Sequence, residues 1–279
     1  MHGGRKKTAD GYLTGEIIQI GAVKLNGEFE VRDVFSADIR PVFYRKINSM
    51  VRKITGITET DLSECSGFVK VFEKFLEFCG ERFCIVTWGR DDIPILRENM
   101  SAHGIDPDFL PQSYDLQLIF NRQITHGFRQ WSLSGAMEKL DIQQRYSLHN
   151  ALFDAVNAAK IALRLDLDAG IRNYDNILSL VRLGSKKETA HGFSDIHCAL
   201  RDKTMCRQIC PICGSRTSKG KWIENRGKRI SLAVCPEHGT LKFVVTAFRD
   251  GDKFSACRRV LPASEEMIER YSERLSALR

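Results

Sequence analysis

The chain has 279 residues, enough to bury a full core in one large domain plus a small one. It holds no apolar run near the length that crosses a bilayer, and its basic start, Met1–Lys7, has no apolar stretch behind it, so no membrane span or signal peptide is readable and a cytoplasmic protein is expected. Residues 1–200 carry 25 basic and 26 acidic side chains and residues 201–279 carry 17 and 9, so all of the net charge of +7 arises in the last 79 residues. Such an excess is either a solvated surface or an attraction for phosphate backbones. Nine cysteines, an odd number with one close pair at Cys210 and Cys213, favour reduced thiols and a metal site over a disulfide framework.

In chain order, a strand is predicted over Glu16–Leu25, then an Asn26-Gly27 turn of the kind that closes a two-residue hairpin, a second strand near Glu28–Val34, and a third extended stretch, "FSADIRPV". "NSMVRKITGITETDL" predicts a helix broken at Gly56 and restarted after a Thr cap, and "GFVKVFEKFLEFCG" has apolar residues at helical spacing. "RFCIVTW" fits a short buried strand; "IPILRENMSAHGI", "SLSGAMEKLDI" and residues 147–165 are further helices. Hairpins followed by strands alternating with helices give an α/β class, a mixed sheet flanked by helices. Apolar density falls over 167–205, where "GSKKETAHG" is expected to be an exposed linker. The alternating "RISLAV" and the runs "LKFVVTAFR" and "KFSACRRV", joined at Asp250-Gly251, predict a second, β-rich unit; "SEEMIERYSERLSAL" closes it as a helix capped by Ser264. The expected organisation is 1–166, a linker over 167–205 containing one helix, a module over 206–262 and a helix over 263–279.

Two short stretches carry candidate chemistry. His149 and Asp154 stand five residues apart, about 140° round a continuous helix, so they act together only if the helix begins between them, with Ser147 or Asn150 near its cap. Ala151, Leu152, Ala155, Ala158, Ala159 and Ala162 are then expected to pack inward. Asp91 and Asp92 follow the strand and Trp88-Gly89, at the kind of strand end where α/β sheets form ligand crevices. Each feature also has a plain explanation, as helix-cap and solvated residues.

Taken in order, "EIIQIGAVKLNGEF", "ITGIT", "TWGRDD", "QWSLSGAMEKLDI" and "HNALFDA" resemble the DEDDh 3′–5′ exonucleases, the superfamily of ribonuclease T and the proofreading subunit of bacterial replicative polymerase. The resemblance spans roughly residues 14–165. It implies a ribonuclease H-like fold and a site with two divalent ions, Mg²⁺ or Mn²⁺. Carried onto this sequence, Asp92 and Asp154 are metal-holding carboxylates, His149 is the general base, and Trp88 with Thr55, Gly56 and Ile57 lies beside the bound nucleotide. Oxygen ligands suit Mg²⁺, and a histidine of ordinary pKa about 6.5 accepts a proton from water near neutral pH.

One part of the family pattern is missing: the first strand ending in Asp-x-Glu, where residues 1–15 offer only Asp10. Either Met1 is an internal or misassigned start and this segment is the loop after that strand, or the protein is a catalytically inactive nucleic-acid-binding relative. Glu16 is a weak substitute, since it begins the wrong strand.

Farther on, Cys210-Pro-Ile-Cys213-Gly and Cys235-Pro-Glu-His238-Gly form two similar knuckles separated by 21 residues, the pattern of a structural Zn²⁺ ribbon; Cys206 or Cys257 is an alternative fourth ligand to His238. Lys219, Lys221, Arg226, Lys228 and Arg229, with Trp222 among them, are candidates for holding a single-stranded nucleic acid.

Overall fold

A computed structural model of the chain describes residues 6–8, 11–44, 46–127, 130–144, 150–183 and 186–277. The chain divides into two compact units, residues 1–117 with 130–168, and residues 118–129 with 169–279.

Unit 1 opens with a short hairpin, β1 (Lys6–Thr8) and β2 (Gly11–Leu13), so the segment expected to be a loop is paired backbone that buries Leu13 completely. Next come β3 (Gln19–Leu25) and β4 (Val31–Asp38), antiparallel from Gln19↔Asp38 to Leu25↔Val31. The second and third predicted extended stretches are thus one strand, and the turn before it is longer than an Asn-Gly pair. Asn26 organises it: its Oδ1 accepts from the backbone N–H groups of Glu28 and Glu30, and Phe29, not Gly27, takes the positive φ of 60°.

Helix α1 (Ser49–Thr55) stops at Gly56, left-handed at φ 75°, and α2 (Glu59–Leu62) restarts after Thr58 in a capping box with Asp61, as the sequence predicts. Helix α3 (Phe68–Cys79) places Phe68, Val71, Phe72 and Phe75 on one stripe, against Ile39, Met100 and Leu110. β5 (Ile85–Thr87) runs parallel to β6 (Ser113–Asp115), and α4 (Asp92–Ala102) lies between them in sequence. β5 is half-buried rather than buried, in keeping with a two-stranded pairing. After α5 (Leu116–Phe120), unit 1 is completed by α6 (Leu133–Lys139) and α7 (Ala151–Ala162).

Unit 2 takes in α8 (Leu167–Arg172), which begins at the boundary, α9 (Tyr174–Leu183), β7 (Glu188–Phe193) and α10 (Ile196–Arg201). Among the described residues the predicted linker is therefore structured. β7 pairs with β11, and because four of its six residues are exposed it looks like a polar connection in sequence. The remaining strands are β8 (Ile223–Asn225), β9 (Lys228–Cys235), β10 (Gly239–Asp250) and β11 (Lys253–Pro262), giving an antiparallel sheet in the order β7-β11-β10-β9-β8. The β10–β11 turn is Gly251-Asp252, one residue later than predicted, with Gly251 at φ 64° and Asp250 opposite Lys253. Leu241, Phe243, Val245 and Ala247 alternate into the core. Helix α11 (Glu265–Ser276) starts at Ser264, whose hydroxyl accepts from Met267 N–H. Among the described residues no helix is long and apolar enough to cross a membrane.

Candidate active site and metal centre

Asp154 owes its position to the start of α7. Asn150 caps the helix, its side chain accepting from the N–H groups of Leu152 and Phe153, so Asp154 lies in the first turn. The Ala151 N–H donates to Gln19 Oε1 at 2.7 Å, which fastens that turn to β3. Gly21 of β3 permits the approach: a Cβ there would lie 2.2 Å from Ala151 backbone. Inside α7 the fully buried positions are Asn157 and Ile161, with Ala162 nearly so, whereas the predicted inward alanines 151, 155, 158 and 159 are half-buried. Asn157 stands one turn beyond Asp154 with neither end of its amide hydrogen-bonded in the described structure. His149 lies outside the described residues.

Asp92 opens α4, with Asp91 at the cap position but making no side-chain cap bond. Although Asp92 keeps an exposed surface, protein crowds its carboxyl: burial, then the charges of Asp91, Asp154 and Asp115, raise its pKa above the usual aspartate range. The predicted pair, Asp92 and Asp154, is thus within electrostatic reach, and a third carboxylate joins it that the sequence reading passed over. Asp115 ends β6, is 8 % exposed, and accepts from Gly89 N–H at 3.1 Å and Gln117 N–H at 2.9 Å. It ties the Trp88-Gly89 turn to the end of the neighbouring strand. The same rule that marked Asp91-Asp92, an acid at a strand end just before a helix, applies to "SYDLQ" and would have found it.

Trp88 is half-buried and its indole N–H donates to the Trp131 carbonyl at 3.2 Å. Gly89 adopts φ 94°, a conformation that favours glycine, and its carbonyl accepts from the Thr87 hydroxyl. Thr55 and Ile57 flank the Gly56 cap, with Ile57 N–H donating to Thr55 Oγ1 at 3.2 Å. Glu16 is held on the backbone that follows β4: its carboxylate accepts from the N–H groups of Val42, Phe43 and Tyr44 at 2.6–2.8 Å.

Unit 2 brings Cys210, Cys213, Cys235 and His238 together, their ligand atoms all within 4.8 Å of one another. Cys213 Sγ to Cys235 Sγ, and His238 Nδ1 to the sulfurs of Cys210 and Cys235, are each 3.6 Å. Four donors around Zn²⁺ at about 2.3 Å stand roughly 3.7 Å apart, so the cluster has the dimensions of a tetrahedral site. Each knuckle ends in a left-handed glycine, Gly214 and Gly239, both at φ 73°. The Ser215 hydroxyl and N–H lower the Cys213 thiol pKa, while burial raises that of Cys210. The alternative ligands lie elsewhere: Cys206 points to the Leu200 carbonyl, and Cys257 is outside the cluster. Two members of the predicted basic surface are also committed elsewhere. Trp222 packs against the core, and Arg229 lies over its ring at 5.2 Å while reaching Leu200 O and Glu224.

Comparison with known proteins places these arrangements. The RNase_T exonuclease family model matches residues 9–162. The probable 3′-5′ exonuclease KapD of Bacillus subtilis is 29 % identical over 157 residues, covering 55 % of this chain and 74 % of that protein. DNA polymerase III subunit epsilon of Aquifex aeolicus is 25 % identical over 150 residues, 54 % and 71 % of the two chains. Among solved structures, the nuclease domain of 3′hExo, a DEDDh family member crystallised with rAMP, superposes with a TM-score of 0.50 at 21 % identity, over 55 % of this chain and 82 % of that one, a likeness of fold.

Proposed function

The chain belongs to the RNase_T exonuclease family, within the DEDDh superfamily, and on that premise we propose a divalent-metal-dependent 3′–5′ exonuclease acting on the 3′ end of a single-stranded RNA or DNA. The observation that carries this reading is the placement of three aspartates at element ends, Asp92 at the start of α4, Asp115 at the end of β6 and Asp154 in the first turn of α7, where burial and the charges of Asp91, Asp154 and Asp115 raise the pKa of Asp92. Like charges held this way suit a divalent cation and are costly without one.

Asp92 and Asp154 would hold Mg²⁺ or Mn²⁺, which when bound stabilises charge on the attacking and leaving oxygens of a phosphodiester. His149 accepts the proton of the attacking water. Asp115 holds the Trp88-Gly89 turn, and Trp88 with the Thr55–Ile57 turn flanks the terminal nucleotide. Cys210, Cys213, Cys235 and His238 hold a Zn²⁺ with no open position, a contribution to folding and not to hydrolysis.

A second reading, a nucleic-acid-binding relative without catalysis, is favoured by the placement of Glu16, whose carboxylate is tied to the backbone amides of residues 42–44. The two readings part in one assay. Release of 3′-terminal nucleotides that requires Mg²⁺ or Mn²⁺ and disappears in Asp92→Ala and Asp154→Ala supports the enzyme; retention of oligonucleotide binding with no release under any divalent ion supports the binder.

A further inference from the structure

The sheet of unit 2 has two unlike faces. One carries the core side chains of β10; on the other, Lys242 stands opposite Leu232 of β9 and Leu261 of β11, and the next position along this face, Val244, stands opposite Ile230 and Arg259. This second face is an apolar strip with a lysine set into it and Arg259 on the diagonal, a placement within reach of long side chains. Helix α11 forms the opposing wall of a groove of about 220 Å³, where Met267, Arg270, Tyr271 and Arg274 face Leu232 and Lys242.

The groove is built in advance of any ligand. At one end Ser264 caps the helix and Ala263 N–H donates to the Thr240 carbonyl at 2.9 Å; near the other the Tyr271 hydroxyl donates to the Lys221 carbonyl. Its charge is one-sided. Lys242 is half-buried, and desolvation, then the charges of Arg274 and Arg270, lower its pKa. No carboxylate pairs with Lys242 or Arg274 among the described residues; the acid lining the groove, Glu266, is bonded to Arg270 at 2.6 Å. A lysine half-buried against apolar side chains without counter-charge is unfavourable until an anion enters.

We propose that this groove holds the phosphate backbone of a single-stranded nucleic acid, with Lys242 and Arg274 on the phosphates and the Tyr271 ring beside them to receive a base. The inference rests on the reading of this protein as one that acts on nucleic acid, and it adds a second contact surface on a different unit from Asp92 and Asp154. A groove with a tyrosine in its wall suits one flexible strand, whose bases are free to stack, better than a duplex. The residues differ from those the sequence singled out, because Arg229 and Trp222 are spent on each other and on the core.

The test uses the full, zinc-loaded chain and fluorescein-labelled single strands of about 16 nucleotides, DNA and RNA of one sequence, read by anisotropy across a salt series without added Mg²⁺ or Mn²⁺. Each of Lys242→Gln and Arg274→Gln is expected to weaken binding about fivefold at ~0.1 M salt and to reduce the slope of log affinity against log salt by about 0.7, the single-strand value per phosphate contact. Lys242→Arg, which keeps the charge, retains the wild-type slope. Arg274 is exposed in the last helical turn, so its variant stays informative even if the Lys242 variant misfolds. If the wild type binds and both Gln variants keep its affinity and slope, the groove is excluded while the nuclease reading stands. A wild type that binds neither strand overturns the groove, the nuclease reading being decided separately by nucleotide release with Mg²⁺ or Mn²⁺, and an acidic polyglutamate peptide that displaces the oligonucleotide at equal charge concentration overturns the assignment to nucleic acid.

Discussion

In unit 2 the sulfurs of Cys210 and Cys235 sit on fully buried residues and His238 is 5 % exposed, whereas in unit 1 Asp91 and Asp92 remain at the surface and the three aspartates around Asp92 close on no shared point comparable to the Cys/His cluster among the described residues. The contrast follows from ligand chemistry. Thiolates and imidazole close around a soft cation and exclude water, so such a centre adds folding energy; carboxylates suit a hard cation that keeps water ligands and leaves room for substrate. The backbone differs to match, with a five-stranded sheet under the first cluster and two separate two-stranded pairings beside the second.

The sharpest way to break this comparison is to remove a ligand from each side. Cys235→Ser, or chelation, should abolish cooperative unfolding of unit 2 and reduce bound zinc from one per chain to near zero, since structural zinc contributes on the order of 10 kcal/mol; metal analysis with calorimetry reads both, and an unchanged transition would mean the cluster is no metal centre. Asp154→Asn should leave the zinc content and both transitions in place while lowering 3′-nucleotide release by about a thousandfold, roughly 4 kcal/mol of transition-state stabilisation. A loss of fold in that variant would make Asp154 structural and blur the distinction between the units.

A core substitution sharpens it further. Phe72 is 1 % exposed and stacked on Phe68 at 5.5 Å, so Phe72→Ala should destabilise unit 1 by about 3–5 kcal/mol without altering zinc content. The smallest effect concerns Asp92. Its pKa is raised above 3.8 in the folded chain, so between 3.8 and the raised value the folded state binds more protons than the unfolded, and stability without divalent ions falls as pH rises through that window. Asp92→Asn should remove this fall and melt higher at pH 7 without metal; a difference between the two proteins that stays constant from pH 4 to pH 7 would place the carboxyl outside the acidic cluster.

Much of this was legible in residue order. The Gly56 and Thr58 punctuation, the α3 stripe and both cysteine knuckles depend on local rules, and local rules are written in adjacent residues. What escaped was set by distant partners. β7 looked like a linker because an edge strand with solvent on most of its side chains has no apolar alternation to display. Asp115 matters through Gly89, 26 residues away, and Arg229 was lost to the basic surface through a stacking contact with Trp222 that no spacing rule anticipates. The hairpin turn at Asn26 differed because side-chain bonds from Asn26 supported a longer loop than its Asn-Gly signature implies.

The division of the chain has a consequence for its synthesis. Residues 118–129 belong to unit 2 yet leave the ribosome before unit 1 is complete, and the rest of unit 2 follows only from 169. Ile119 and Phe120, both fully buried in the finished protein, must wait for it; Gly170 lies so close to Ile119 that a Cβ there would come within 2.5 Å of its side chain. Expression of residues 1–166 alone, the cut that motif boundaries suggest, would strand Ile119 without the Gly170 segment that packs on it. A chaperone that recognises short apolar segments would find its target there, while the chain that follows is still being made.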